Sequence, residues 1–324
     1  MPFARLELLA AMLLAAAPTL AARKPKTPPP PPLPPLVLAA TAPVIETQIA
    51  GQTVRLTVDM GGDPMVVISP EAAARLQLAS NTRADGKQVD RGRFRVSVGQ
   101  TNVAVPFSRE AFAIAGRTLI VRVLTPAAAP AGLAAGSDGV IGLPLLPHDE
   151  VRLVYRPATP RDRLTSVNAG TGGRSNSLMF EWPLPGQPPI DVELHQLRPA
   201  SVASVAAASR LAGAGDGKLT GAVRRVAIGF GVARPVRTLV LAKPVAVAGI
   251  MLAKVDVRLF DWAGRADLPP DADDSEGAMV TASRGRQSGW PILKLGRDVL
   301  DGCASITWRR DVGSPGRGSF ALHC

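Results

Sequence analysis

Asp59 is the residue of this 324-residue chain best placed to do chemistry. It ends the alternating run Val54-Arg55-Leu56-Thr57-Val58 and opens the turn Met60-Gly61-Gly62-Asp63-Pro64. A carboxylate fixed on such a turn can act as a general base on water when an acid stands beside it. It can also simply support the turn, by bonding to nearby backbone. Other chemistries have less behind them. There are three histidines, His148, His195 and His323, and no Gly-x-Ser-x-Gly elbow. The stretch Gly215-Asp216-Gly217-Lys218-Leu219 lacks the upstream Gly and the Ser or Thr after Lys that a phosphate loop needs. Asp271-Ala272-Asp273-Asp274-Ser275-Glu276 lacks the spaced oxygen ligands of a calcium loop. Cys303, His323 and Cys324 make poor zinc spacing, so neither a metal nor another cofactor is expected.

The elements around Asp59 follow from pattern. Residues 53–59 alternate as a strand, and Met65-Val66-Val67-Ile68 is a short apolar second strand. Ser69-Pro70-Glu71 then opens a helix, with Ser as cap and Pro at the first helical position. Further strands are expected at 44–50, 93–98, 102–105, 112–115, 118–124 and 151–155, with helical character only at 70–77 and 143–147. Gly142 ends the run Asp138-Gly139-Val140-Ile141-Gly142, where Gly signals close approach of another backbone. From Leu178 the pattern starts again. At an offset of 135, Gly51-Gln52 matches Gly186-Gln187, Pro64 matches Pro199, Ser69 matches Ser204, and Arg75-Leu76 matches Arg210-Leu211. The apolar strand ending in Gly recurs as Ile292-Leu293-Lys294-Leu295-Gly296.

Taken together, Thr57-Val58-Asp59-Met60-Gly61-Gly62, Val66-Val67-Ile68-Ser69, the strand ending at Gly142 and the internal repeat resemble the aspartic peptidase superfamily, pepsin-like and retropepsin-like. The resemblance covers roughly residues 44–311. It implies a mostly β chain of two homologous β-barrel-like lobes of the acid-protease type with a central cleft. The lobes would be 44–156 and 178–324, joined by a polar linker at 157–177. It implies catalysis by two carboxylates sharing one proton, with Asp59 as the first. Met60, Gly61, Gly62 and Gly142 would support that loop. Two departures stand out. Met60 occupies the Thr or Ser position, whose hydroxyl braces the two loops. The repeat offset also puts Leu194 opposite Asp59, so the second loop, Glu193-Leu194-His195, is degenerate. Three remedies exist: Glu193 or Asp191 as second acid, His195 as partner, or pairing of two chains through their first lobes. The function implied is hydrolysis of peptide or unfolded protein by an Asp59-activated water. The alternative is an inactive relative that binds a peptide or protein partner between the lobes.

Composition bounds the rest. The chain is 46% apolar, enough for one large or two medium cores. The net charge of +11 is carried mostly by dispersed Arg, and aromatics are 4%, which argues against a nucleic-acid partner. Residues 1–22 read as a signal peptide with an apolar segment at 8–17, too short to span a bilayer. Residues 23–43 read as a Pro-rich linker. No later stretch reaches transmembrane length, so a periplasmic or secreted monomer of two lobes is expected. Two cysteines in an exported chain predict a Cys303–Cys324 disulfide pinning the tail to the last strand.

Overall fold

The computed structural model describes residues 31–78, 90–98, 101–171, 176–259, 290–311 and 313–324. The expected signal segment and the acidic loop at 271–276 lie outside the described residues.

The first half is a barrel. Its strands are β2 (Val44–Ile49), β3 (Gln52–Asp59), β4 (Val66–Ile68), β6 (Thr101–Ile114), β7 (Arg117–Leu124) and β8 (Gly139–Gly142). They are hydrogen-bonded in the order β2-β3-β8-β4-β7-β6, and β6 returns to β2, closing six strands. The edge strand β5 (Arg91–Val98) extends β6. Alternation does what the sequence predicts in β3: Val54, Leu56 and Val58 are fully buried. The separate strands expected at 102–105 and 112–115 are one continuous β6, which passes straight through Pro106.

The second half repeats the order. β11 (Leu178–Leu184), β12 (Gln187–Leu194), β17 (Ile292–Leu295), β13 (Val202–Ala203), β16 (Ile250–Arg258), β15 (Val232–Val247) and β14 (Gly217–Gly229) are neighbours in that sequence. Each has a counterpart at the same place in the first half. The helices match as well. Helix α1 (Pro70–Arg75) follows β4 and helix α2 (Val205–Gly215) follows β13. Ser69 Oγ accepts from Ala72 N at 3.2 Å and Ser204 Oγ from Ala207 N at 3.2 Å, each satisfying one amide that would otherwise be orphaned. Among the described residues the second sheet stays open, because β11 turns to β10 (Leu164–Thr171) instead of closing on β15.

A third set of strands joins the halves. β1 (Leu36–Ala39), β9 (Glu150–Val154), β18 (Ser305–Asp311), β19 (Ser314–His323) and β10 lie side by side in that order. Two stretches read as linkers therefore contain strands. β1 falls inside 23–43 and β10 inside 157–177. β1, Leu36-Val37-Leu38-Ala39, is apolar throughout and packs Leu36 and Leu38 on the main core, whereas β10 has no continuous apolar face; β1 pairs in parallel with β9, and β10 is held by seven residue pairs with β19. Cys303 and Cys324 are bonded, tying the start of β18 to the end of β19. Among the described residues no helix is long and apolar enough to cross a membrane.

Candidate active site

Two short turns meet at the middle of the chain's fold. Asp59 ends β3, opposite Gly142 of β8. Gly62 N donates to Asp59 O at 3.3 Å, closing the first turn. Gly61 N donates to Asp59 Oδ1 at 3.3 Å and so orients the carboxylate. Gly62 and Gly142 let strand and turn cross. A Cβ on Gly142 would lie 2.2 Å from Asp63 O and 2.5 Å from Gly62 O.

The second turn is found by following the ladders rather than the sequence offset. In the first half Ile68, just before the Ser69 cap, lies opposite Gly139, three residues before the partner of Asp59. In the second half Ala203, just before the Ser204 cap, lies opposite Leu293, three residues before Gly296. Leu194 lies opposite Leu295, so the residue facing Gly296 is His195. Arg198 N donates to His195 O at 2.9 Å, closing this turn as Gly62 closes the first. His195, not Leu194, is therefore the counterpart of Asp59. The offset is 135 at the tight turn where Gly51 matches Gly186, rises to 136 across the extra residue of the β11–β12 bulge, and returns to 135 after the second turn, because that loop is one residue shorter between turn and cap. Leu194 is fully buried in the main core, where Val58 sits in the first half.

His195 lies between two carboxylates. Its Nδ1 is 3.6 Å from Asp59 Oδ2, and its Nε2 is 2.7 Å from Glu193 Oε2. Lys294 Nζ contacts the same Glu193 oxygen at 2.8 Å. Nε2–H donates to Glu193, which leaves Nδ1 facing Asp59. Glu193 is 1% exposed. Burial pushes its carboxyl up, but Lys294 and then His195 outweigh that and hold it well below the usual carboxylate range. The ring packs so closely on the first turn that a Cβ on Gly61 would lie 2.4 to 2.6 Å from three ring atoms. Asp63 Oδ1 accepts from Ser177 Oγ at 2.8 Å. Burial raises the Asp63 carboxyl, with Ser177 and Lys294 opposing.

The brace between the turns comes from Gln196, a residue with no motif to mark it. Met60 N donates to Gln196 Oε1 at 3.0 Å, and Gln196 Nε2 donates to Val58 O. One amide thus holds both sides of the first turn, which a Met side chain cannot do. Met60 is buried in the main core instead. In the corrected register Gln196 faces Met60, so the missing hydroxyl and its replacement occupy equivalent positions. Asp191 is not part of the site, since its carboxylate accepts from Trp290 Nε1. Among the described residues no group of acidic, His and Cys side chains could hold a metal ion.

No protein-family model matches this chain, and no curated protein matches it in sequence. Among solved structures it is similar to EIAV protease complexed with the inhibitor HBY-793. The identity is 18%, the match covers 31% of this chain and 81% of that one, and the TM-score is 0.22. A likeness of that extent carries nothing about activity, which has to be read from the site.

Proposed function

We propose that the chain is an exported hydrolase of peptide bonds in which Asp59 and His195 share the work that two carboxylates do in aspartic peptidases. The observation that supports this is the position of His195. It stands at the counterpart of Asp59, 3.6 Å away, with Glu193 behind it. Asp59 as carboxylate takes a proton from water, whose oxygen attacks the carbonyl carbon. His195 as imidazolium polarises the carbonyl oxygen through Nδ1–H and then delivers that proton to the leaving nitrogen. Asp59 is left protonated and His195 neutral, and the proton passes back across the gap. Glu193 steadies the imidazolium through Nε2, and Lys294 balances the charge of Glu193, so the site works without a third free carboxylate.

The test is cleavage of an unfolded protein by the full chain, beside Asp59→Asn and His195→Gln variants shown to be folded. The expected result is loss of about 10²- to 10⁴-fold in each variant, the usual contribution of a positioned acid or base. Undiminished cleavage in His195→Gln would overturn the role of that residue. A second reading, a peptide binder without turnover, is favoured by one observation. The side chains of Asp59 and His195 are only 12% and 11% exposed, so little of either is offered to a substrate in this conformation. Binding without cleavage by the folded wild type is its signature. Export is tested by the N-terminal sequence of the mature protein, expected to begin just after Ala21 or Ala22.

A further inference from the structure

Strands β15 and β16 are apolar on both faces toward the turn that joins them. From Leu239 to Val247, β15 has one polar side chain, Lys243; from Ile250 to Val255, β16 has one, Lys254. A strand with one face in water alternates apolar and polar residues, and a run apolar on both faces marks a strand covered on both. In this structure one face is covered. Leu239, Leu241, Val245, Leu252 and Val255 lie in the main core. The residues between them lie on the other face and are open: Val240 is 42% exposed, Met251 is 60% exposed, and Ala242, Ala246 and Ala253 are exposed as well. Ala246 and Met251 are direct partners across the ladder, so the open side is continuous from one strand to the next.

The exposed charges on this face are of one sign. Lys218 of β14, Val240 of β15 and Lys254 of β16 stand in one row across three strands. Strands lie about 4.8 Å apart, so the two lysine backbones are about 10 Å apart with an exposed valine between them. Lys243 is exposed in the interruption of the ladder between Val240 and Val245. Lysine is scarce in this chain, seven of 37 basic residues, so three on one sheet is a concentration. Among the described residues none of the three ammonium groups has a hydrogen-bond or ion-pair partner. The three strands contain a single acid, Asp256, which is 4% exposed and is paired with Arg224.

Three unpaired cations set among exposed aliphatic groups fit a surface that is anionic on the outside and apolar beneath. Lysine suits both layers, since its stem lies on apolar groups while its head reaches a phosphate. A second copy of the chain would bring unpaired lysines against unpaired lysines, and the stretches 239–247 and 250–255 have no aromatic ring on which nucleic-acid bases could stack. We propose that the open face of β14–β16 docks on an anionic phospholipid bilayer, with Val240 and Met251 entering the headgroup layer and Lys218, Lys243 and Lys254 meeting lipid phosphates. The contact is peripheral, held by one sheet face. It stands whether or not the Asp59–His195 pair cleaves peptides.

The test is co-sedimentation of the protein, as recovered from the expressing cell, with vesicles of phosphatidylcholine and phosphatidylglycerol, beside vesicles of phosphatidylcholine alone. The expected result is binding to the mixed vesicles that weakens as salt rises. Replacing Lys218, Lys243 and Lys254 together by Gln should weaken it about 100-fold, since each cation near an anionic surface counts about fivefold. Val240→Ser with Met251→Ser should weaken it about 10-fold. Both variants change exposed positions and should unfold at the wild-type temperature. A control removes the same charge elsewhere: Arg93→Gln, Arg95→Gln and Arg161→Gln, at exposed residues outside these strands, should keep the affinity within about threefold. Equal loss in the control would mean attraction by net charge alone and would overturn the proposal, as would unchanged binding after the two serine substitutions. A wild type that ignores the mixed vesicles, or that binds phosphatidylcholine alone just as well with every variant unchanged, would also overturn it. Binding of soluble poly-glutamate without sedimentation on vesicles would assign the face to an acidic protein chain and remove the bilayer reading.

Discussion

Replacing Glu193 by Gln isolates the charge at the back of the site while keeping shape and most hydrogen-bonding capacity. Glu193 is 1% exposed and touches Lys294 Nζ at 2.8 Å and His195 Nε2 at 2.7 Å. At an effective dielectric of 20, a unit pair at that separation is worth about 6 kcal/mol before desolvation is counted. Desolvation cancels much of this, and removing one partner from a buried pair costs about 3–5 kcal/mol net. Lys294 is 21% exposed and can regain some water, so the lower end applies, about 3 kcal/mol at neutral pH. The pH dependence is more diagnostic than the size. The folded protein holds the Glu193 carboxyl down, to about 2 from an ordinary 4.5, so the unfolded chain binds this proton more tightly. The stabilising contribution is complete above about pH 4.5 and is lost as pH falls through the folded value. Urea unfolding of wild type and Glu193→Gln from pH 7 to pH 3 should therefore show the gap between them narrowing on acidification. A gap below about 1 kcal/mol at pH 7, or one that stays constant with pH, would refute the reasoning.

Two further substitutions probe the junction of the turns. Gly61→Ala puts a methyl inside the His195 ring and should destabilise by about 2–3 kcal/mol, because the ring must move off Glu193. Most of that loss should vanish in a His195→Ala background, and a double-mutant cycle with no coupling would count against the packing described. Gln196→Leu leaves Met60 N–H and Val58 C=O buried without a partner and should cost about 2–4 kcal/mol by thermal or urea unfolding. Gln196→Glu keeps an acceptor for Met60 N–H but sets a buried carboxylate against Val58 O, so its cost should be at least as large at neutral pH and should ease on acidification, when the protonated carboxyl can donate to Val58 O.

Much of the first half was legible in letters. Strand alternation, Gly spacing and the Ser-Pro cap located β3, its turn, β4 and α1, and the repeat located their counterparts. The error at Leu194 has a specific cause. The matches that fixed the offset, Gly51-Gln52 with Gly186-Gln187 and Ser69 with Ser204, flank a segment that is one residue out of step: an extra residue at the β12 bulge shifts it, and a one-residue shortening between turn and cap restores the register. Sequence gives no sign of where such a deletion falls. The hydrogen bonds that close Asp59 to Gly62 and His195 to Arg198 do. Glu193 and His195 were visible as candidates, but their alliance with Lys294 depends on β12 lying parallel to β17 in register, with partners 101 residues apart. Gln196 was passed over because a lone Gln has no signature; facing Met60 is what gives it a role. β10 reads as linker because its apolar residues are few, and β1 because its four apolar residues follow directly on the proline run, with no alternation to mark a strand.

The sheet that joins the halves also sets an order of events during synthesis. The barrel closes on itself with residues that have all emerged by Gly142, so its ladder can form early. β9 cannot find β18, nor β10 find β19, until residues 305–323 are made. In the interval β9 and β10 present unpaired strand edges, the kind of surface on which chains add to one another. Long-range pairing of this kind is slow, so the exposure is prolonged. The Cys303–Cys324 bond joins two residues made after β9 and β10, one at each end of the β18–β19 hairpin. The nascent chain is therefore most exposed to aggregation in the interval before β18 and β19 dock, which is when a chaperone would matter most.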